Sequence, residues 1–227
     1  LENTPYAGQY AIGQSVNTQY VYHFVGVDPL TGVIAFKDYN NDGIISNNWV
    51  MAPAAGADDR GKAYDLQPRF AGGFGLSGNY KKLTFGFFFT YKKQLGRNLY
   101  ASLYYSPGAF NQNLPPEFIT GAHWQKAGDI STYPAFTTHP VIDSWSSIYF
   151  SDLSFTDASF IRLNNANISY PLPEAWGRKI GLKHLTVSLY AQNILTITRY
   201  KGGDPETQAL SNLPPAGLYT IRFSYNF

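Results

Sequence analysis

The chain has 227 residues, of which 17% are aromatic and only 14% charged, with 18 Tyr and 16 Phe. It contains no cysteine, which excludes a disulfide scaffold and a Cys-ligated metal site. A formal net charge of +2 gives no argument for a nucleic-acid partner, and we predict none. The sequence has no uninterrupted apolar run of the length that a transmembrane helix requires.

The first third of the chain reads as short strands joined by turns. Residues 1–19 are polar and irregular, whereas Gln19–Val27 is strand-like with apolar residues on both faces. Asp28–Gly32 combines Pro and Gly in a pattern typical of a turn, and a short strand is predicted over Val33–Lys37. His23 stands alone in this region, so we interpret it as a structural histidine.

The next segment, DYNNDGI, resembles the opening of a calcium loop. Oxygen-bearing side chains recur at alternate positions, and a glycine stands where such loops turn sharply. Calcium is therefore the one cofactor that we predict. The expected ligands are three side chains and one main-chain carbonyl, those of Asp38, Asn40, Asp42 and Ile44.

The calcium interpretation has a gap at the twelfth loop position, where Trp49 replaces the usual bidentate acid. The coordination shell of the ion would have to be completed by water, Ser46, Asp58 or Asp59. The alternative is an Asx-rich turn that holds no metal.

Residues 68–91 show the clearest hairpin pattern. Large apolar residues alternate with Gly, Ser, Thr and Asn on both sides of Lys81–Lys82, which predicts two strands joined by a two-residue turn. Each arm has about the 9–11 residues that a tilted strand needs to span a bilayer. Phe88 breaks the otherwise polar face.

Residues 92–158 have no clear period and contain several prolines and aromatics. We predict a long extracellular loop region, because membrane barrels carry short turns at one end and long loops at the other. Trp124, Tyr133 and Trp145 are candidates for stacking on a substrate such as a sugar. The alternative is that these rings pack the loops into a rigid cap.

Two more strands are predicted over Ser159–Tyr170 and Leu185–Gln192. In the first strand, Ile168 and Tyr170 lie on the apolar face. Because alternate residues share a face, regular alternation back from Ile168 would place Arg162 on that face too. Either that strand rises above the membrane there, or a bulge at Asn164–Asn165 switches the parity.

The last strand, residues 217–227, alternates apolar and polar residues without an exception from Tyr219 onward. Its polar positions are Thr220, Arg222, Ser224 and Asn226. This pattern is typical of an outer-membrane barrel strand with one face toward lipid, and we predict an all-β fold, a segment of an antiparallel transmembrane barrel. The expected lipid-facing residues are Tyr219, Ile221, Phe223, Tyr225 and Phe227.

Eight stretches in this order resemble the C-terminal part of the SusC-like TonB-dependent outer-membrane transporters. One residue departs from the family pattern: His123 stands where an Arg usually precedes the Trp. The matching stretches are IGQS (12–15), GVDPLTG (26–32), DYNNDG (38–43), PRFAGGF (68–74), HWQKAGD (123–129), SDLSFTDASFIRLNNANISYPLP (151–173), AQNILTITRYKGGDPE (191–206) and the terminal strand.

The resemblance implies a plugged barrel of roughly 22 strands in the bacterial outer membrane. It also implies import of glycans or peptides, a SusD-like lipoprotein lid, energy from the TonB system, and recognition of the terminal strand by the barrel-assembly machinery. A plug, a TonB box and a signal peptide are not found in the sequence, so we expect residues 1–227 to be the C-terminal portion of a larger protein.

Two alternatives to an importer remain open from sequence. A SusC-like protein can serve as a structural subunit of another outer-membrane complex, and a secreted carbohydrate-binding β-sandwich would also alternate apolar and polar residues. We do not predict an enzyme, because the sequence lacks GxSxG and HExxH motifs and its His residues are scattered.

Overall fold

The computed structural model describes residues 10, 12–45, 59–102, 107–108, 113–114, 116–121, 123–138, 147–178, 181, 183–208 and 213–226. The chain divides into two compact units. The loop unit comprises residues 1–67 and 95–157, and the sheet unit comprises residues 68–94 and 158–227.

The described residues form eleven strands and two short α-helices. None of the described helices has the length and apolar character needed to cross a membrane. The elements are β1 (Thr18–Val21), β2 (Phe24–Val27), β3 (Ile34–Phe36), β4 (Lys62–Asp65), β5 (Phe70–Tyr80), β6 (Leu83–Lys93), β7 (Leu95–Arg97), α1 (Pro116–Thr120), β8 (Phe155–Asp157), β9 (Phe160–Pro171), α2 (Glu174–Arg178), β10 (Lys183–Thr198) and β11 (Leu218–Asn226).

The sheet unit is a single five-stranded antiparallel sheet in the order β11-β10-β9-β6-β5. Its strands have 9 to 16 residues, which is long enough for tilted strands to span a bilayer. This architecture confirms the predicted all-β fold, a segment of a transmembrane barrel.

The connections of the sheet alternate between its two ends, because neighbouring strands run antiparallel. The Lys81–Lys82 turn and the connector that contains α2 lie at one end, which we call the short-turn end. The segment between β6 and β9 and residues 199–217 both leave from the opposite end, which we call the long-loop end.

The two faces of the sheet differ sharply in chemistry. The strand register aligns Ile221 with Leu189, Leu189 with Ile168, and Ile168 with Phe85, so one face is apolar across the strands. These side chains are exposed: Ile221 by 61% and Leu189 by 48%. The opposite, polar face carries Ser77, Thr84, Thr90, Asn167, Ser169, Ser188, Gln192, Thr220, Arg222 and Ser224.

A β-bulge in β9 resolves the parity problem at Arg162. Phe88 and Phe89 are consecutive in β6, yet they pair with Asn165 and Leu163, so Asn164 is an extra residue in β9. The bulge moves Leu163 to the apolar face and Arg162 to the polar face. Of the two alternatives that the sequence left open, the bulge is confirmed.

Phe88 lies on the polar face, and glycines in β5 make room for it. Gly75 is its direct partner, and a Cβ added at Gly73 would lie 2.9 Å from the Phe88 ring. A Cβ at Gly73 would therefore crowd the Phe88 ring, whereas a Cβ at Gly75 would make only an ordinary contact with it at 3.7 Å.

The loop unit has a buried core of its own. Three pairs of short strands surround it, β1 with β4, β2 with β3, and β7 with β8. The core residues are Tyr22, Ile34, Phe36, Phe118 and Ile148.

Two predicted elements differ in detail from the structure. The strand predicted over Gln19–Val27 is broken at Tyr22–His23, where Tyr22 pairs with the chain near Phe150 and Asp152 instead. The connector after β9 contains α2, a helix that was not predicted. Phe227 lies outside the described residues.

Candidate functional site

A buried charged cluster on the polar face centres on Arg162. Its Nη2 donates to Asp204 Oδ1, its Nη1 to Glu206 Oε2 at 2.8 Å, and its Nε to Thr196 Oγ1 at 3.0 Å. The Arg162 and Asp204 side chains are only 6% and 4% exposed. Strand β9 supplies the cation, β10 the hydroxyl, and the loop after β10 the two acids.

The same loop, residues 199–208, is held by further contacts, and we call it the latch loop. Gln94 Nε2 donates to the Pro205 carbonyl at 2.7 Å. Asp204 also orders the loop itself, accepting the Thr207 N–H at 3.0 Å through Oδ2 and the Gln208 N–H at 2.9 Å through its carbonyl. Burial, and secondarily Asp204, raises the pKa of Tyr200.

A cleft of about 210 Å³ lies beside the cluster. Its lining is polar where Arg162, Asn193 and Thr196 contribute, and apolar where Tyr200 and Pro214 contribute. The arrangement holds the latch loop against the polar face and leaves a small polar recess next to it.

The loop unit holds a second charged cluster, around Asp152. Its Oδ2 lies 2.6 Å from His23 Nδ1 and 2.8 Å from Lys62 Nζ, and its Oδ1 accepts the Phe24 N–H at 2.9 Å. Burial alone would raise the pKa of Asp152, but the hydrogen bonds from Lys62, His23 and the Phe24 N–H outweigh it and lower that pKa. The bond to Asp152 raises the pKa of Lys62. The cluster joins β2, β4 and the segment before β8.

Trp124 and Tyr133, two candidates for substrate stacking, have packing contacts in the structure. Trp124 Nε1 donates to the Pro29 carbonyl at 2.8 Å, and a Cβ at Gly32 would lie 2.5 Å from its indole. The Tyr133 ring lies 4.8 Å from that of Phe118 in the core. Trp145 lies outside the described residues.

The predicted calcium loop is folded around its own acidic side chains. Asp38 accepts the backbone N–H groups of Asn41 at 2.6 Å and Gly43 at 2.9 Å. Asp42 Oδ1 accepts the Ile44 N–H at 2.8 Å, while Asn40 Nδ2 lies 2.9 Å from Asp42 Oδ2.

These contacts bring the oxygens of Asp38, Asn40 and Asp42 into one turn, a donor set that fits calcium. Asp59 is buried and accepts the Tyr39 N–H at 2.7 Å, so it lies at the start of the same loop. Ser46, Trp49 and Asp58 lie outside the described residues. Within the part of the chain that the structure describes, no three His, Cys, Asp or Glu side chains converge on one point.

The Arg162 cluster was not predicted from sequence as a site. The available signal was that strict alternation placed Arg162 on the apolar face. A bulge explained that placement but did not identify the acids that bind Arg162. Asp204 and Glu206 are more than 40 residues away in sequence, so only the fold brings them to it.

Comparisons with known proteins agree with the resemblance found in the sequence. Over 50 residues the chain is 44% identical to TonB-dependent receptor P3 of Formosa agariphila, an alignment that covers 22% of this chain and 5% of that protein. No protein-family model matches the chain.

Solved structures match over almost the whole chain. The RagAB peptide importer in its open-open state aligns with a TM-score of 0.63 at 22% identity, covering 96% of this chain and 24% of that one. The RagAB peptide transporter aligns with the same score and identity over 91% and 22%. The chain thus has the fold of part of the matched RagAB chains and spans less than a quarter of their length.

Proposed function

We propose that the chain is the C-terminal part of an outer-membrane importer that takes up peptides or glycans. The observation that carries the proposal is the exposed apolar face of the sheet, backed by its likeness to the RagAB structures. A soluble protein rarely exposes so large a contiguous apolar surface, whereas a barrel wall presents one to lipid.

In this proposal the apolar face meets lipid and the polar face meets the barrel lumen. The lipid-facing residues of the terminal strand are Tyr219, Ile221, Phe223, Tyr225 and Phe227. The barrel-assembly machinery recognises this strand. The latch loop then lies on the lumen side, held there by Arg162. The recess beside it belongs to the lumen wall.

The loop unit is proposed to lie outside the cell, next to a SusD-like lipoprotein lid. Support comes from topology, since the segment between β6 and β9 leaves the sheet at the long-loop end. The exposed Phe136, whose ring stacks on His123 at 4.4 Å, is available for substrate contact. Trp145 is proposed for the same role from its sequence alone. Peptide is favoured over glycan as cargo because the matched structures are of a peptide importer.

The loop from Asp38 to Ile44 is proposed to bind one calcium ion that pins an external turn. The carboxylates of Asp38 and Asp42, with Asn40 and the Ile44 carbonyl, supply hard oxygen ligands. The role is structural.

Uptake by cells that produce the full-length protein tests the importer proposal. Labelled oligopeptides and oligosaccharides are supplied separately, with and without a functional TonB system and with and without the lipoprotein. We expect accumulation of one class that needs both partners. Correct assembly with no uptake of either class would instead support the structural-subunit alternative.

A further inference from the structure

We propose that Lys81 and Lys82, at the short-turn end of the sheet unit, bind the phosphate group of an anionic phospholipid. The inference rests on the proposed placement of this sheet in a membrane. The two lysines would add a contact with lipid headgroups at the edge of an apolar face that otherwise contacts only hydrocarbon.

The first observation is where the Lys81 ammonium lies. Both lysines are exposed, and Lys81 Nζ lies 5.6 Å from the centroid of the Tyr80 ring. Tyr80 belongs to the apolar face and is 66% exposed. A cation beside an exposed ring at the rim of an apolar surface is placed at the depth where lipid headgroups lie.

The second observation is the backbone of the turn. Lys81 has φ of 56°, in the left-handed region. For a residue with a Cβ that conformation costs about 1–2 kcal/mol, and a two-residue hairpin turn with a positive φ at its first residue favours Gly there. A Lys-Lys pair here opposes the local turn preference, and departures of this kind cluster at functional positions.

The third observation is the neighbourhood of the turn. The connector between β9 and β10 enters and leaves the sheet at the same end, and its Trp176 is 63% exposed. In the sequence, the turn and this connector (residues 172–184) together have five Lys or Arg and one acid, Glu174. Near an anionic lipid surface each such cation is attracted, so the local charge favours a lipid phosphate as the occupant.

The test uses the full-length protein in nanodiscs that contain a mixture of phosphatidylglycerol and phosphatidylcholine. The lipids that stay bound after mild detergent extraction are counted by native mass spectrometry. We expect the wild-type protein to retain phosphatidylglycerol preferentially. The double variant Lys81→Gln/Lys82→Gln should lose roughly twentyfold in relative affinity, from about fivefold per lysine.

Two further variants separate charge from turn conformation. Lys81→Gly/Lys82→Asn supplies a favoured turn, because only the first turn residue has a positive φ, and it removes both charges. It should therefore fold at least as well and still lose the lipid preference. Lys126→Gln/Lys201→Gln removes two exposed lysines elsewhere and should retain it. A wild-type preference that survives in the Gly-Asn variant overturns the proposal.

The wild-type protein also offers a measurement that needs no variant. The phosphatidylglycerol preference should fall as ionic strength rises, because exposed charges are screened. A preference that is absent, or that does not change with salt, overturns the proposal. Failure of the wild-type protein to insert into any nanodisc would count against the membrane function itself.

Discussion

The loop unit and the sheet unit differ in where their apolar side chains lie. The loop unit has a buried core, with Val21 and Ile148 fully inaccessible, and its exposed apolar residues such as Leu30 and Ile130 are in loops rather than on a sheet face. The sheet unit leaves Ile221 and Phe223 more than 60% exposed, yet buries the charge of Arg162. One chain therefore contains a surface suited to water and a surface suited to lipid. Different substitutions are expected to lower the stability of each unit.

The largest effect is expected at the buried charge of the sheet unit. Arg162→Met leaves Asp204 buried without its cation, and breaking such a pair costs about 3–5 kcal/mol. The urea unfolding free energy of the refolded full-length protein should fall by that amount. Protease cleavage within the latch loop should also accelerate.

The double variant Arg162→Met/Asp204→Leu is the matched control, since it removes both charges. It should recover part of the lost stability, because a hydrophobic replacement of a buried pair is often neutral, while the Thr207 N–H loses its Asp204 acceptor. If the double variant is no more stable than Arg162→Met, the ion pair does not determine the stability of the latch.

A charge on the apolar face is expected to have the next largest effect. Phe223→Arg should lower the stability of the membrane-inserted protein by about 2–4 kcal/mol if residue 223 lies near the bilayer midplane. Ser224→Arg places the same charge on the polar face one residue later. It should assemble close to the wild-type level on heat-modifiability gels, and equal impairment of both variants would contradict the assignment of faces.

In the loop unit, Asp152→Asn should remove a pH-dependent stabilisation. The lowered pKa of Asp152 means that its contribution is present above its unfolded value of 3.8 and is lost as pH falls through the folded pKa. The raised pKa of Lys62 means that the pair persists below 10.5 and weakens as pH rises through the folded pKa.

At pH 7 the Asp152→Asn variant should therefore be destabilised by about 1–3 kcal/mol relative to wild type. That difference should shrink toward zero on acidification below 3.8. Hydrogen exchange across residues 18–24 and 62–65 measures it. Asp65→Asn, at an exposed acid of the same unit, serves as control and should show little change.

The smallest effect is expected at the calcium loop, which is exposed. Added calcium should slow hydrogen exchange over residues 38–44 in wild type and leave Asp38→Ala/Asp42→Ala unchanged, because an ion that binds only the folded state stabilises it by mass action. Identical exchange of wild type with calcium and with a chelator would leave the Asx-rich turn as the better interpretation.

The strands of the sheet unit were predictable because one periodic signal defines each of them. The period of two places β5, β6, β9, β10 and β11 without any knowledge of neighbours. The bulge at Asn164 was foreseen only as one of two alternatives, since a bulge is recognised when the partner strand fixes the register.

The loop unit and the charged clusters were much less predictable. Tyr22 breaks a strand because it pairs with a segment about 130 residues later, and Trp124 packs on Gly32 from 92 positions away. No local pattern records these contacts. The substrate, lipid and calcium assignments of individual residues remain predictions.

The orientation of the terminal strand is tested most directly by single-cysteine substitution, since the chain contains no cysteine. Each position from Tyr219 to Tyr225 is replaced in turn, and reaction with a water-soluble maleimide is measured in intact outer membranes. We expect reactivity at positions 220, 222 and 224 and protection at 219, 221, 223 and 225. Uniform reactivity along the strand, or protection at the even positions instead, would contradict the placement of this sheet in the barrel wall.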